Sequence, residues 1–240
     1  MRSLVVLIAS LVGVGTTAAL GTWQLDRAAQ KVALQDSLDQ RSAMPALAAS
    51  ALTAGEGEVE TLQHRRIGLR GLWVAQHTVF LDNRAMGGRA GFIVVTPLQL
   101  ADSKLAVAVQ RGWLPRDAAD RTRLPPLATP AGEVEVAGRI APPPSRLYEF
   151  SAAASGAIRQ NLDLGAYGIE TGLRLAPLSV LQDEQGAGSD DDGLLRQWPL
   201  PAVDVHKHYG YAFQWFALCA LMAGLYVWFQ LIRPRLRRSA

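Results

Sequence analysis

Tyr209-Gly210-Tyr211-Ala212-Phe213-Gln214-Trp215-Phe216-Ala217-Leu218-Cys219-Ala220-Leu221-Met222-Ala223-Gly224-Leu225-Tyr226-Val227-Trp228-Phe229-Gln230-Leu231-Ile232 carries no formal charge. His206-Lys207-His208 precedes it, and Arg233, Arg235, Arg237 and Arg238 follow. An α-helix needs about 20 apolar residues to cross a hydrocarbon layer of about 30 Å. A charge inside such a helix costs at least ~2.5 kcal/mol. The stretch therefore reads as a membrane-spanning helix. A second uncharged run, Leu4 to Trp23, meets the same condition near the other end. Its short basic start at Arg2 and small residues at Thr16-Thr17-Ala18-Ala19 also fit a cleaved signal peptide. The continuation of apolar character through Leu20 and Trp23 favours an uncleaved anchor.

Within 240 residues there is room for two spans and one domain of ordinary size. The expected division is a first span over 1–23, a juxtamembrane helix and linker over 24–60, a β-rich domain over 61–205, a second span over 206–232 and a basic tail over 233–240. Arginines crowd the end of the second span, and an excess of Lys and Arg marks the cytoplasmic side. Both termini are then cytoplasmic and the central domain lies outside, in the periplasm of a bacterium. The tail is expected to touch lipid phosphates of the bilayer rather than nucleic acid. The single cysteine, Cys219, falls inside the second span, which excludes an intrachain disulfide, a Cys-x-x-Cys redox pair and a thiolate-rich metal site.

Trp23, Arg27, Lys31 and Leu34 recur at helical spacing and extend the first helix to about Arg41, ahead of an Ala-rich linker containing Gly55 and Gly57. Strand-like segments follow, separated by turn residues: Arg66–Val74, Val79–Leu81, Phe92–Leu98, Leu105–Trp113, Val134–Ile140, Ala157–Leu162, Leu173–Leu181 and a short Leu194–Leu200. A proline-rich loop is expected between Pro115 and Pro130, and a solvated acidic turn at Ser189-Asp190-Asp191-Asp192-Gly193. The fold class is a membrane protein with two transmembrane α-helices flanking a β-rich (α+β) extracytoplasmic domain, small barrel- or sandwich-like.

No nucleophile elbow, zinc motif, phosphate loop or dinucleotide fingerprint is present, so no enzymatic function is expected. Of the 4 histidines, His64 and His77 read as surface residues of the soluble part, while His206 and His208 sit at the membrane edge. Arg84, in Asp82-Asn83-Arg84, and Arg111, in Gln110-Arg111-Gly112-Trp113-Leu114-Pro115, each end an apolar strand. Arginine there either clamps a carboxylate or propionate or makes a structural ion pair. Ala9, Gly13, Thr17 and Gly21 place small residues on one face of the first span, with Ala220 and Gly224 as a matching patch on the second. His208, Tyr211/Ala212, Trp215, Cys219 and Met222 share a helical face. An imidazole above aromatics at the bilayer edge suits haem, although interfacial Tyr and Trp also arise as a plain aromatic belt.

Four blocks, in order, resemble the surfeit-locus (SURF) family of cytochrome c oxidase assembly factors. They are Leu20-Gly21-Thr22-Trp23-Gln24 with Arg27 and Lys31; Leu81-Asp82-Asn83-Arg84 with Gly91 and Thr96-Pro97-Leu98; Arg111-Gly112-Trp113-Leu114-Pro115; and His208 with Tyr211-Ala212 and Trp215-Phe216. Gln110 and His206-Lys207 stand where the family usually has Asn. The resemblance implies a membrane-bound factor of the cell inner membrane that holds haem a as cargo and presents it to the oxidase large subunit. His208 is the implied iron ligand, and Tyr211, Trp215, Arg84 and Arg111 are further cofactor-binding candidates. Cytochrome c oxidase and haem A synthase are the implied partners. The alternative is a scaffold that holds oxidase subunits without binding haem.

Overall fold

The computed structural model describes residues 2–53, 59–117, 119–120, 123–124, 126–147, 156–184, 192–198 and 205–236. The linker glycines Gly55 and Gly57, the acidic residues Asp190 and Asp191, and Arg237 and Arg238 lie outside the described residues. The chain divides into two compact units, Met1–Leu38 with Leu200–Ala240, and Asp39–Pro199.

In the second unit, β1 (Arg66–Trp73), β2 (Val79–Met86), β3 (Arg89–Leu100), β4 (Leu105–Pro115), β5 (Glu133–Ala141), β6 (Ile158–Arg159) and β7 (Arg174–Gln182) form one sheet in the order β1-β5-β7-β4-β3-β2-β6. A further pairing of β1 with β3 closes β1, β5, β7, β4 and β3 into a five-strand barrel. β3 makes this possible because its length serves two partners on one edge. Val79–Met86 pair along its first part, and Trp73, Leu72 and Gly71 pair with Leu98, Gln99 and Leu100 at its end. The closure is tight: a Cβ on Gly71 would lie 2.1 Å from the Gln99 carbonyl oxygen, so glycine is required there.

The alternation read in β1 sends Ile67, Leu69 and Gly71 inward. Ile67 and Leu69 join Leu98, Val107, Val109, Val136, Ile140, Leu178 and Val180 in the barrel core. Burying each of the large aliphatic chains contributes about 1.5–3 kcal/mol before entropy is charged against it. The chain joins this core early, since Leu52 is buried within it and Leu47 bridges to Ile67. On the opposite face of β4, Ala108 packs with Val79, Leu81 and Val95 beneath Leu164 and Tyr167. The last two residues lie on a helix, Leu164–Thr171, that periodicity did not reveal. The long α1 (Arg2–Ala43) and the single-turn α2 (Val59–Leu62) precede it in the chain, so it is α3. Asp163 caps its start by accepting from Ala166 N–H at 2.9 Å, and Gly172 ends it at φ 69°.

The first unit is a pair of helices: the N-terminal part of α1, and α4 (Val205–Tyr226), which continues through a π-helical turn, Val227–Ile232, into α5 (Arg233–Leu236). Both are long and apolar enough to cross a membrane. Their outer faces carry Leu11, Val5 and Phe213 at 63%, 65% and 74% exposure. A core helix of a water-soluble domain would bury such residues, so the bilayer is the solvent these faces suit.

The helices meet along a seam of alternating three- and four-residue steps. On α1 the less exposed positions include Leu7, Ser10, Val14, Thr17, Gly21, Gln24 and Ala28, with Gly13, Ala18 and Leu20 beside them. On α4 they include Val205, His208, Ala212, Trp215, Cys219, Met222 and Tyr226, with Ala223 beside them. A mean step of 3.5 is the spacing of left-handed helix pairing. The small residues of α1 are used, but not against the expected patch. Gly13 faces Met222 and Gly21 faces the Phe216 ring, where a Cβ would come within 3.0 and 2.7 Å respectively. Ala220 is exposed, and nothing lies within 4 Å of a Cβ built on Gly224. Large side chains of α4 fill grooves in α1, in place of two smooth faces meeting.

Candidate functional site

His208 occupies the first turn of α4 and is half-buried in the seam. Its Nδ1 lies 2.7 Å from Oε1 of Gln24 on α1. A carbonyl oxygen only accepts, so Nδ1 carries the proton and donates. In the tautomer that donates from Nδ1 the lone pair sits on Nε2, the arrangement in which a neutral histidine ligates a metal. Of the two aromatic candidates, Trp215 shares the half-buried face with His208, two turns further along. Tyr211 is 53% exposed and points away from the seam. Ala212, at 2% exposure, takes the seam position that the alternative Tyr211/Ala212 left open.

Arg84 and Arg111 belong to the barrel unit, and both owe their direction to bulges. Register in the β2–β3 pair shifts between Leu81 and Arg84, so Asp82-Asn83 is a bulge within a strand; the turn comes later, at Gly87-Gly88. Asn83 has φ 60°, a left-handed conformation that Asn tolerates, and its N–H donates to Oδ1 of Asp82 at 2.7 Å. Arg84 is thereby turned inward at 7% exposure. It donates to Oγ and the carbonyl of Ser145 at 3.0 and 2.8 Å, and to the carbonyl of Gln160 at 2.8 Å. Burial pulls its guanidinium below the ordinary arginine value.

In the β3–β4 pair Val94 faces Gly112 and Val95 faces Gln110, which leaves Arg111 as the extra residue. It is 1% exposed, stacks over Trp73 at 4.9 Å, and donates to Oγ1 of Thr129 at 2.8 Å and the carbonyl of Ala128 at 2.9 Å. Oδ2 of Asp192 lies 3.4 Å from Arg111 and 2.5 Å from Arg196. Burial lowers the basicity of Arg111, Asp192 raises it, and Arg196 lowers it again. Gln110, one residue earlier, donates to Oγ of Ser179 at 2.8 Å inside the wall.

Trp113 ties these segments together. Its indole N–H donates to the carbonyl of Arg84 at 2.8 Å, and a Cβ on Gly91 would come within 2.4 Å of its ring. Gly112 has no room for a side chain either, since a Cβ there would meet that of Leu194 at 2.6 Å. Sequence reasoning missed Asp192, which looked like one member of an acidic turn, and the pairing of Gln24 with His208. The His208–Gln24 and Arg111–Asp192 pairs carry no local signal, because their members are far apart in the chain, whereas Arg196 lies four residues after Asp192. The remaining soluble-domain histidines, His64 and His77, are half-buried. Among the described residues no cluster of His, Cys, Asp and Glu is arranged to hold a metal ion. A groove of about 840 Å³ in the barrel unit, lined by residues including Ala49, Leu69, Leu100 and Val136, contains none of the expected site residues.

Membrane-length helices before and after a closed β-barrel, with a buried Arg111-Gly112-Trp113 block in its wall and a buried Arg84 on the adjoining β2, define a two-span membrane protein carrying a barrel insert. The chain belongs to the SURF1 family, whose sequence profile matches residues 11–220. It is 28% identical over 239 residues to a SURF1-like protein of Drosophila melanogaster, covering 92% of this chain and 75% of that one. It is 29% identical over 135 residues to a SURF1-like protein of Monosiga brevicollis, covering 52% of this chain and 48% of that one. A third match is 28% identical over 109 residues to Surfeit locus protein 1 of Arabidopsis thaliana, covering 42% of this chain and 31% of that protein.

Proposed function

We propose that this protein is a membrane-bound assembly factor for cytochrome c oxidase that carries haem a and passes it to the large catalytic subunit. Membership of the SURF1 family supports the assembly role in general. The observation that carries the haem reading is the His208–Gln24 pair, which leaves Nε2 as the ligating nitrogen at the start of a membrane-length helix. Haem is the cargo here, and the protein contributes an axial nitrogen and an apolar edge; no covalent step and no enzymatic activity belong to the reading. Trp215 lies on the same face to meet the macrocycle. Tyr211, on the exposed side of the helix, suits lipid or a partner better. Arg84 and Arg111 already spend donors on protein acceptors, so a role toward propionates requires those contacts to open. That same occupancy favours a second reading, a scaffold that holds oxidase subunits without haem. The arginines after α4 support a bacterial inner-membrane location with cytoplasmic termini and a periplasmic barrel.

The test is expression in a host that makes haem A, extraction in detergent and a visible spectrum of wild type beside His208→Ala. Wild type is expected to purify with haem and the variant without it. If both purify without haem, the cargo reading fails and the scaffold reading is left.

A further inference from the structure

We infer that Gln24 is a positioning residue for His208: it fixes the tautomer and the aim of the imidazole so that Nε2 faces the cargo. The inference rests on the haem reading above for its purpose, but its physical content stands on the seam alone. Gln24 and His208 pair side chain to side chain across a contact that also uses Gly13, Gly21, Phe216 and Met222, and in which Cys219 Sγ donates to the Val14 carbonyl at 3.6 Å. An unrestrained imidazole exchanges its proton between the two nitrogens and rotates about two torsions. A fixed acceptor 2.7 Å from Nδ1 removes both freedoms. The acceptor is held in turn, because Gln24 is half-buried one turn beyond Gly21, where α1 approaches the Phe216 ring most closely. Glutamine gives this hold without a formal charge, which a membrane edge would penalise.

Partners that orient a metal-bound histidine typically change metal affinity by about 10–100-fold when removed. The full-length protein in detergent is compared as wild type, Gln24→Leu, Gln24→Glu and His208→Ala. Haem content and affinity are read from the visible spectrum, the midpoint potential from a redox titration, and the His208 tautomer from nitrogen NMR of histidine-labelled, haem-free protein. Gln24→Leu is expected to weaken haem binding by roughly 10–100-fold and to release the ring into a tautomer mixture. Gln24→Glu keeps an acceptor, so binding should return and the midpoint potential should fall, an outcome that mere helix packing would not produce. If Gln24→Leu binds haem as wild type does while His208→Ala loses it, positioning is overturned and the haem reading stands. If wild type and His208→Ala both lack haem, the haem reading fails and the tautomer decides the rest. A proton held on Nδ1 in wild type and released in Gln24→Leu supports positioning; an identical mixture in both overturns it.

Discussion

In the barrel, Arg84 and Arg111 are buried to 7% and 1% exposure and donate to carbonyls and hydroxyls brought in from Ser145, Gln160, Ala128 and Thr129. In the helix pair, His208 shares one polar contact with Gln24 in a seam that packing of glycine against Phe216 and Met222 already accounts for. The contrast separates two uses of buried polarity. The arginines tie connecting segments to the sheet by donating to the carbonyls of Ser145, Gln160 and Ala128, so the fold depends on them. The histidine pair restrains a side chain that the helix association does not need. Motif residues of equal prominence in the sequence thus divide into arginines that tie loops to the sheet and a His–Gln pair that meets across a helix seam.

Removing the counter-charge in the barrel gives the largest effect. Asp192→Leu leaves Arg111 and Arg196 facing each other in a dry environment, and breaking a buried ion pair from one side costs about 3–5 kcal/mol. Denaturant unfolding of the detergent-solubilised protein, followed by tryptophan fluorescence, is expected to show that loss. His208→Ala in the same assay should leave the barrel transition where it is. A stable Asp192→Leu protein that fails to bind haem would break the comparison, because it would move the arginine cluster from structure to function. Next in size is Gly91→Ala. The added methyl would overlap the Trp113 ring and lie 2.3 Å from the Leu114 carbonyl, backbone that cannot swing aside. Overpacking of this kind costs about 1–3 kcal/mol, measured as a lower unfolding midpoint.

The same division explains what could be read in advance. The spans, β1 and β4 announced themselves through periodicity and length, because burial of apolar faces is written locally in the chain. The barrel closure was open between barrel and sandwich, since it depends on β3 pairing twice on one edge and on the missing Cβ of Gly71. From its sequence β2 is expected to end at Leu81 for a sound reason: Asn at φ 60° is turn chemistry, here spent on a bulge inside a strand that runs to Met86. α3 escaped because Gly165 and Gly168 dilute its pattern, although Asp163 and Gly172 bracket it as caps. The arginine blocks were visible as blocks, but their acceptors come from sequence-distant loops. The Gln24–His208 contact spans nearly the whole chain, and its two halves were found only as separate motifs.

Gly21→Leu tests the helix pair itself. A Cβ already falls 2.7 Å from the Phe216 ring, so a larger side chain must push the helices apart or turn the ring. The expected cost is about 1–3 kcal/mol of packing. It should appear as weaker haem retention together with loss of the single His208 tautomer. The barrel transition should not move. Unchanged haem retention would show that seam geometry is not what aims His208, and would sharpen the role left to Gln24.

The smallest effects belong to α3, where polarity is structural yet partly wet. Arg159 forks onto Glu170 at 2.7 and 2.5 Å and lies 5.2 Å over the Tyr167 ring, whose hydroxyl donates to the His77 carbonyl. The Arg159 hydrogen bond holds the Glu170 carboxyl below its usual range. Its contribution is therefore present above the unfolded carboxylate value and lost as pH falls through the lower folded one. Burial pushes the Tyr167 hydroxyl up from 10.0 to about 12, so its contribution is complete below 10.0 and lost as pH rises toward about 12. Tyr167→Phe should cost about 1 kcal/mol near neutrality and flatten the alkaline side of a stability–pH curve. Glu170 is 46% exposed, and solvent screening limits Glu170→Gln to a few tenths of a kcal/mol, about the value of a surface pair. Its signature is the acid side of that curve, which should become shallower in the variant. An acid side identical to wild type would mean that Arg159 is held by the Gly156 carbonyl, at 2.7 Å, and by the Tyr167 ring without help from the carboxylate.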